Sequence, residues 1–398
     1  MNVYIRELSR RLGARGVSVD VFTRRQDPDT PRIVEFGENA RVIHLEAGPV
    51  GPTDKYRVLD YLPDFVQGVS EFRRREGRLY HLVHGHYWLS GPVSIHLAER
   101  WGIPLVAMFH TLGRLKNQVS TNGREREKSA RLQVERETML AAARIVAASP
   151  TDMEQMVRHY GVSPSRIRIV PGGVDSSLFH PLPRGVARGI LGVGSEKQIL
   201  FVGRIQWLKG IDLLLRAFAV LLAGWTDGPK PRLTVVGGRN PEDDSDPEAL
   251  ETKRLGKLAS ELGVLDHVTF QGAVPQERLP FYYSAADVVV VPSLYESFGL
   301  VALEAMACGT PVVASRVGGL QWTVRDGQAG FLVRRRSPEQ FAAAMGLILR
   351  DEELRAQMSE GAAAAARGFS WDSAAERTLA LYHELLSVPE ARLCGACP

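Results

Sequence analysis

Residues 287–314 read DVVVVPSLYESFGLVALEAMACGTPVVA. The apolar run 288–291 has the length and the stop, Pro292-Ser293, of a buried strand. Glu296 then precedes Ser297-Phe298-Gly299-Leu300, and Glu304 follows inside a helix-periodic apolar segment that Gly309-Thr310-Pro311 ends. Residues 312–314 open the next strand. The polar residues therefore sit at the C-terminal end of a strand, where open α/β sheets bind ligands against helix N-termini. The two carboxylates are eight residues apart. On one helix that is a rise of about 12 Å, beyond the ~5–9.5 Å of carboxylate pairs that share hydrolysis of a glycosidic bond. The spacing suits the two ends of a long ligand, with helix-mouth N–H groups between them for a phosphate. It equally suits a helix-start Glu and a second Glu with no shared role.

Outward from this stretch the strand–helix alternation repeats. Downstream, residues 330–333 form a last strand and helices run to about residue 386. Upstream in the same half, strands are expected at 199–202, 233–236 and 268–270, with helices at 210–222, 251–262 and 276–285 and an acidic loop at 240–248. A Gly/Pro-rich linker, Pro171-Gly172-Gly173-Val174-Asp175 to Pro181-Leu182-Pro183, separates this half from an earlier one. There, strands are expected at 17–22, 42–45, 79–83, 105–109, 145–148 and 167–170, with helices at 131–143 and 151–160 and a polar, irregular segment at 116–126. Val3, Ile5, Leu8 and Leu12 are spaced for an amphipathic helix, so the chain opens on a helix where a nucleotide-binding domain opens on a strand. The expected domains are 1–182, 183–370, a helix 371–388 that packs back on the first half, and a tail 389–398. Two parallel-sheet domains of this kind take ligands in the cleft between them.

Composition narrows the partners. The 398 residues allow two or three ordinary domains, and 44% hydrophobic content is enough to fill their cores. A net charge of +4 admits an anionic ligand and weak membrane association. No long Lys/Arg stripe with interleaved aromatics appears, so nucleic acid is not expected as a partner. Arg73-Arg74-Arg75 and Arg334-Arg335-Arg336 read as solvated faces. No run reaches about 18 apolar residues, so no transmembrane helix is expected; residues 213–225 come nearest and Arg216 interrupts them. Of three cysteines, Cys308 reads as a small core residue, while Cys394 and Cys397 form a C-x-x-C in the tail with no second pair for zinc. With no signal peptide, a reducing, cytoplasmic location is expected.

The cations follow a strand end as well. After 199–202 come Gly203-Arg204 and Lys209-Gly210, a guanidinium fork and an ammonium suited to a diphosphate. Gly203-Arg204-x4-Lys209-Gly210, Glu296-x7-Glu304 and Pro171-Gly172-Gly173-Val174-Asp175 together resemble retaining glycosyltransferase family 4, and the resemblance extends from Met1 to about Leu386. It implies the GT-B architecture, two Rossmann-like parallel-sheet domains facing a central cleft, with the first N-terminal strand and its Gly-Gly turn missing before Met1. It implies a donor that is a nucleotide-sugar, most often a UDP-sugar, with no metal or other cofactor required. Arg204 and Lys209 would hold the diphosphate and stabilise the leaving group in place of a divalent cation. Backbone N–H groups around Ser297, Phe298, Gly299 and Leu300 would assist, Glu296 would touch the sugar hydroxyls, Glu304 the ribose, and His110 the region of the anomeric centre.

The first half is similar to the inositol-phosphate and sucrose-phosphate branch of that family. Asn2 in Met1-Asn2-Val3-Tyr4, Lys55, Tyr87 in His86-Tyr87-Trp88-Leu89-Ser90-Gly91, Thr111 in His110-Thr111-Leu112, and Arg131 match acceptor-binding positions. Two cations, a phenol, a hydroxyl and an amide suit a small phosphorylated polyol or sugar. Gly318-Gly319-Leu320 is followed by Gln321-Trp322, where family members often carry Pro-Glu. The implied activity is transfer of a hexose with retention. Three other readings stay open: a nucleotide-sugar epimerase or phosphorylase, which the motif spacing disfavours; a non-catalytic or truncated, inactive nucleotide-sugar binder; and a family member with a lipid or polysaccharide acceptor. A homodimer also stays open.

Overall fold

The structure, a computed structural model, describes residues 1–120, 126–238, 246–334 and 336–387. Most of the acidic loop, Arg335 of the second arginine run and the Cys394/Cys397 pair lie outside the described residues. The chain divides into two compact units, Met1–Gly172 with Trp371–Pro398, and Gly173–Ser370.

The first unit carries β1 (Val19–Arg24), β2 (Ile33–Gly37), β3 (Ala40–Leu45), β4 (Val83–His86), β5 (Leu105–Met108), β6 (Arg144–Ala147) and β7 (Ile167–Ile169). They form two sheets, β1-β3-β2 and β4-β5-β6-β7, the second all parallel. Three sequence expectations are corrected here. The strand expected at 79–83 is β4, shifted to Val83–His86, because the histidines continue the strand that the apolar pattern had seemed to end. Antiparallel β2 was not foreseen; its side chains are exposed or half-buried in strict alternation, so it carries no continuous apolar signal. The segment expected to be irregular from residue 116 begins inside a helix, Gly113–Val119, which seats Leu115 and Val119 in the interior.

β3 and the helices Leu62–Arg75 and Ser90–Trp101 share one core, Ile43, Leu45, Val69, Phe72, Val93 and Leu97, with Phe22 of β1, Val83 of β4 and Trp101 against it. The helix Trp371–Leu386 belongs to this unit. Glu384 pairs with Arg144 and Arg168 at 2.7 and 2.8 Å, and Trp371 meets Tyr4 edge-on.

The second unit holds β8 (Gln198–Val202), β9 (Arg232–Val236), β10 (Val268–Gly272), β11 (Val288–Val291), β12 (Val312–Ser315) and β13 (Gly330–Val333) in one parallel sheet of order β10-β9-β8-β11-β12-β13. β8 and β11 are neighbours where the strand order reverses, so the loops after them diverge and open a crevice. The helix Ile211–Ala223 is buried through Leu214, Leu215 and Phe218 against Phe341, Met345 and Ile348 of the helix Pro338–Arg350, while Arg216 stays in solvent. Truncating Phe218 to alanine in such a core would cost about 3–5 kcal/mol. Among the described residues no helix is long and apolar enough to cross a membrane.

Candidate active site

Two clusters lie at strand C-terminal ends, one in each unit. In the second unit, Lys209 ends a short 3-10 turn, Trp207–Lys209, after β8, and its ammonium donates to Glu296 Oε2 at 2.7 Å. The two loops are tied further by the Leu294 amide, which donates to Leu208 O at 2.9 Å. Gly210 follows in the left-handed region, φ +68°, and a Cβ there would lie 2.2 Å from Pro292 O. Only glycine permits this approach. Arg204 is exposed and, among the described residues, makes no ion pair.

Glu296 is not on the helix. That helix runs Leu300–Ala307 with Gly299 before it, so the expected rise of about 12 Å along one helix does not separate Glu296 from Glu304. The separation comes instead from a loop that leaves β11 and turns back on itself. The turn is clamped from outside: the Gly319 amide donates to Glu296 O at 2.9 Å and Thr323 Oγ1 to Phe298 O at 2.7 Å. A Cβ on Gly318 would meet Glu296 O at 1.8 Å. Phe298 is buried, and Trp322 lies against it and against Phe369. Gln321 and Trp322, the departure from the family pattern, thus stand on a short helix, Leu320–Thr323, that backs the loop. Ser297 lies in the loop, and the first N–H groups of the helix, from Leu300 on, are its open end.

Glu304 lies one helical turn further in. Tyr283 Oη donates to its Oε2 at 2.8 Å. Burial pushes the Glu304 carboxyl up to about 7, with the Tyr283 bond opposing. Cys308, buried directly after this helix, has its thiol pushed up by burial as well.

In the first unit Tyr87 follows β4, and His110 and Thr111 follow β5, on adjacent parallel strands. Tyr87 and His110 both have left-handed backbone, φ 74° and 58°. Non-glycine residues in that region concentrate at functional sites. His110 Nε2 and His86 Nδ1 share a hydrogen bond of 3.0 Å, and Tyr4 packs edge-on to His110. Burial holds the His110 imidazole well below its ordinary value, so it is neutral at pH 7.

Arg131, fully buried on the helix Ser129–Ala141, gathers the rest. Its Nη2 donates to Thr111 O at 2.9 Å and to Thr111 Oγ1 at 3.0 Å, and its guanidinium lies over the Tyr87 ring at 5.3 Å. Its Nε donates to Glu135 Oε1 at 2.8 Å, and its Nη1 stands 3.0 Å from Glu127 Oε1. Glu127 is the hub: Lys55 Nζ donates to its Oε2 at 2.6 Å, Tyr56 Oη at 2.7 Å, and Lys116 Nζ to its Oε1. Burial pushes the Glu127 carboxyl up, but Lys116 and Lys55, with Arg131 and Tyr56, outweigh it and hold it at about 2.

Of the expected acceptor residues, Lys55, Tyr87, Thr111 and Arg131 come together. Asn2, exposed at the start of the helix Asn2–Gly13, shares no hydrogen bond with them among the described residues. Expected donor residues Lys209 and Glu296 meet directly; Glu304 is held separately by Tyr283. Lys116, Tyr56, Glu127 and Trp88 were not foreseen, nor was the clamp by Gly318, Gly319 and Trp322. One signal for Glu127 was available: Glu127, Arg131 and Glu135 fall at i, i+4 spacing, alternating in charge. Among the described residues no three His, Cys, Asp or Glu side chains gather as a metal site requires.

Comparison with known proteins covers both units. Residues 1–178 match the family described as Glycosyltransferase Family 4, and residues 187–365 match Glycosyl transferases group 1. A D-inositol 3-phosphate glycosyltransferase of Acidothermus cellulolyticus is 42% identical over 97% of this chain and 86% of its own. The structure of a sucrose-phosphate synthase from Thermosynechococcus elongatus superposes with a TM-score of 0.89 at 35% identity, covering 97% of this chain and 93% of that one. Anabaena HepE, solved in complex with UDP and glucose, shares the fold at a TM-score of 0.70 and 22% identity over 86% of each chain.

Proposed function

The chain belongs to glycosyltransferase family 4 and is a sugar-transferring enzyme of GT-B fold, and from that premise we propose that it moves a hexose from a nucleotide-sugar to a small phosphorylated polyol or sugar, with retention at the anomeric carbon. The first unit serves the acceptor and the second the donor. The observation that carries the acceptor class is the convergence of Lys55, Lys116 and Arg131 on one anionic position beside Tyr87 and Thr111. Three cations from separate segments gathered on a single carboxylate are a costly arrangement for a neutral acceptor, and phosphate suits it.

For the donor, Arg204 and Lys209 bind the diphosphate, and the backbone N–H groups of Phe298, Gly299 and Leu300 take its remaining oxygens. Glu296 orients Lys209 and contacts the sugar hydroxyls; Glu304 takes the ribose hydroxyls. The charge that grows on the departing diphosphate is met by fixed cations, the kind of electrostatic stabilisation that contributes most to group transfer. Departure leaves an oxocarbenium-like centre, which the acceptor hydroxyl attacks from the face the diphosphate leaves, its proton passing to an oxygen of the departing diphosphate. Neutral His110 can donate or accept one hydrogen bond near that centre without adding positive charge. The printed names of the inositol-phosphate and sucrose-phosphate relatives, and the UDP bound by the Anabaena protein, support UDP-sugar as donor and a phosphorylated acceptor.

The test is UDP release from a panel of UDP-sugars with inositol phosphate, fructose 6-phosphate and their unphosphorylated parents. Release that requires a phosphorylated acceptor is expected. Equal rates with the unphosphorylated parents would overturn the acceptor class.

A further inference from the structure

Resting on the phosphorylated-acceptor reading above, we propose that Glu127 is a specificity-determining residue, an internal competitor whose carboxylate occupies the cation cage until a phosphate dianion displaces it. Its side chain is 1% exposed, yet among the described residues every donor to its carboxylate is a side chain, Lys55, Tyr56 and Lys116, with the Arg131 guanidinium paired to it by charge alone. Asp287 in the second unit is the instructive contrast. It too is fully buried among arginines, Arg184 and Arg188 both at 2.9 Å, but it also accepts the Gln198 amide at 2.7 Å and so is built into the sheet. Among the described residues, the bonds that tie Glu127 to the protein framework run through its own main chain, not its carboxylate. Asn117 Oδ1 accepts from the Glu127 amide at 2.7 Å, and Asn117 Nδ2 donates to Glu127 O at 3.1 Å. The carboxylate can therefore swing on its own torsions while the chain stays in place.

Two buried donors at or beside the cage are left without a hydrogen bond among the described residues. Arg131 Nη1, though 3.0 Å from Oε1, makes no aligned one, and Trp88, whose ring lies against the Arg131 guanidinium and Tyr56, has its Nε1 buried with no acceptor. The charge balance points the same way. Glu135 is committed to Arg131, to the Gly113 amide and to Tyr160. With Glu127 in place, the three cations and two carboxylates leave one positive charge uncompensated. A phosphate dianion in its stead closes the balance and brings three acceptor oxygens where a carboxylate has two. A free monoanion offers no more than the tethered carboxylate already does, so Glu127 filters acceptors by charge.

The experiment is a thermal-shift titration of the full chain, wild type and Glu127→Gln, with inorganic phosphate and with acetate, beside acceptor kinetics. The wild type should be stabilised by phosphate but not by acetate. Glu127→Gln should melt lower in anion-free buffer, recover with either anion, take phosphate about tenfold more tightly, and show a similarly lowered KM for the phosphorylated acceptor with the donor KM unchanged. Phosphate binding by the variant that is no tighter than wild type, or a raised acceptor KM, would overturn the proposal and leave Glu127 a structural hub. Should Glu127→Gln fail to fold, Glu127→Asp retracts the charge by one methylene and should still tighten phosphate binding several-fold; no change there also overturns it. Activity on unphosphorylated acceptors would defeat the acceptor class alone, because the anion titration reads Glu127 without turnover.

Discussion

The cations of the two clusters are held in opposite ways. In the second unit Lys209 faces one carboxylate, Glu296, and both side chains keep contact with solvent, 24% and 18% exposed. In the first unit Arg131 is shut in between Glu127 and Glu135 with no exposure at all. A partly solvated pair contributes at most about 1 kcal/mol to stability and can be opened by a ligand at little cost. A buried array of charges is different, because removing one member strands the others away from water. Charge in the second unit's cluster can thus be opened by a ligand at little cost, whereas in the first unit the same kind of charge also holds the fold.

The comparison breaks most visibly at Arg131. Arg131→Met should destabilise the chain by about 3–5 kcal/mol, since Glu127 and Glu135 lose their shared partner. Chemical denaturation measures this, and a loss below about 1 kcal/mol would mean the acceptor cluster is no more structural than the donor one. Lys209→Ala should do the converse: kcat falls by about 10²–10³, the scale of losing one stabilising donor, with the denaturation midpoint unchanged. Turnover near wild type in that variant would remove Lys209 from the reaction.

The smallest effect sharpens the donor side. Glu304, with its carboxyl pushed up to about 7, is increasingly neutral below that pH. If its ionised form takes the ribose, affinity for UDP-sugar should fall toward tenfold per pH unit below about 7, and Glu304→Gln should flatten the profile. A wild-type profile already flat from pH 8 to 5.5 would exclude Glu304 from the ribose. The same shift has a stability sign. The folded chain keeps this proton where the unfolded chain has lost it, so Glu304's contribution is full below the ordinary glutamate value and is lost as pH rises toward 7.

The two regions were also unequally legible. The donor elements are local. β11 ends at Pro292 as its apolar run dictates, Lys209 and Glu296 lie in the loops directly after β8 and β11, and Glu304 follows on the next helix. Even so, the rise along one helix does not apply to Glu296 and Glu304, because Ser297-Phe298-Gly299 is still loop and the helix begins only at Leu300. The acceptor cage draws on residues 55 to 135 across loop, strand end and helix, and Lys55, Tyr87, Thr111 and Arg131 were found only through the motifs around them. Glu127 could not be found that way. In sequence it is one glutamate in a polar stretch, Arg124-Glu125-Arg126-Glu127-Lys128, and its burial is decided by Lys55 and Lys116, which reach it from elsewhere in the chain. The histidines of β4 misled for a similar reason: their burial comes from stacking on His110 and from Tyr382, some 300 residues away, and not from apolarity.

The helix Trp371–Leu386 has a consequence for the order of events during synthesis. The second unit is one continuous stretch of chain, Gly173–Ser370, and all its strands have left the ribosome before that helix is made. The first unit is begun earlier but finished later. Tyr4 waits for Trp371, His84 for Tyr382, and Arg144 and Arg168 for Glu384. Domains fold as units when their sequence is complete, so the unit begun first is the one that closes last, and it stays open until the helix Trp371–Leu386 emerges.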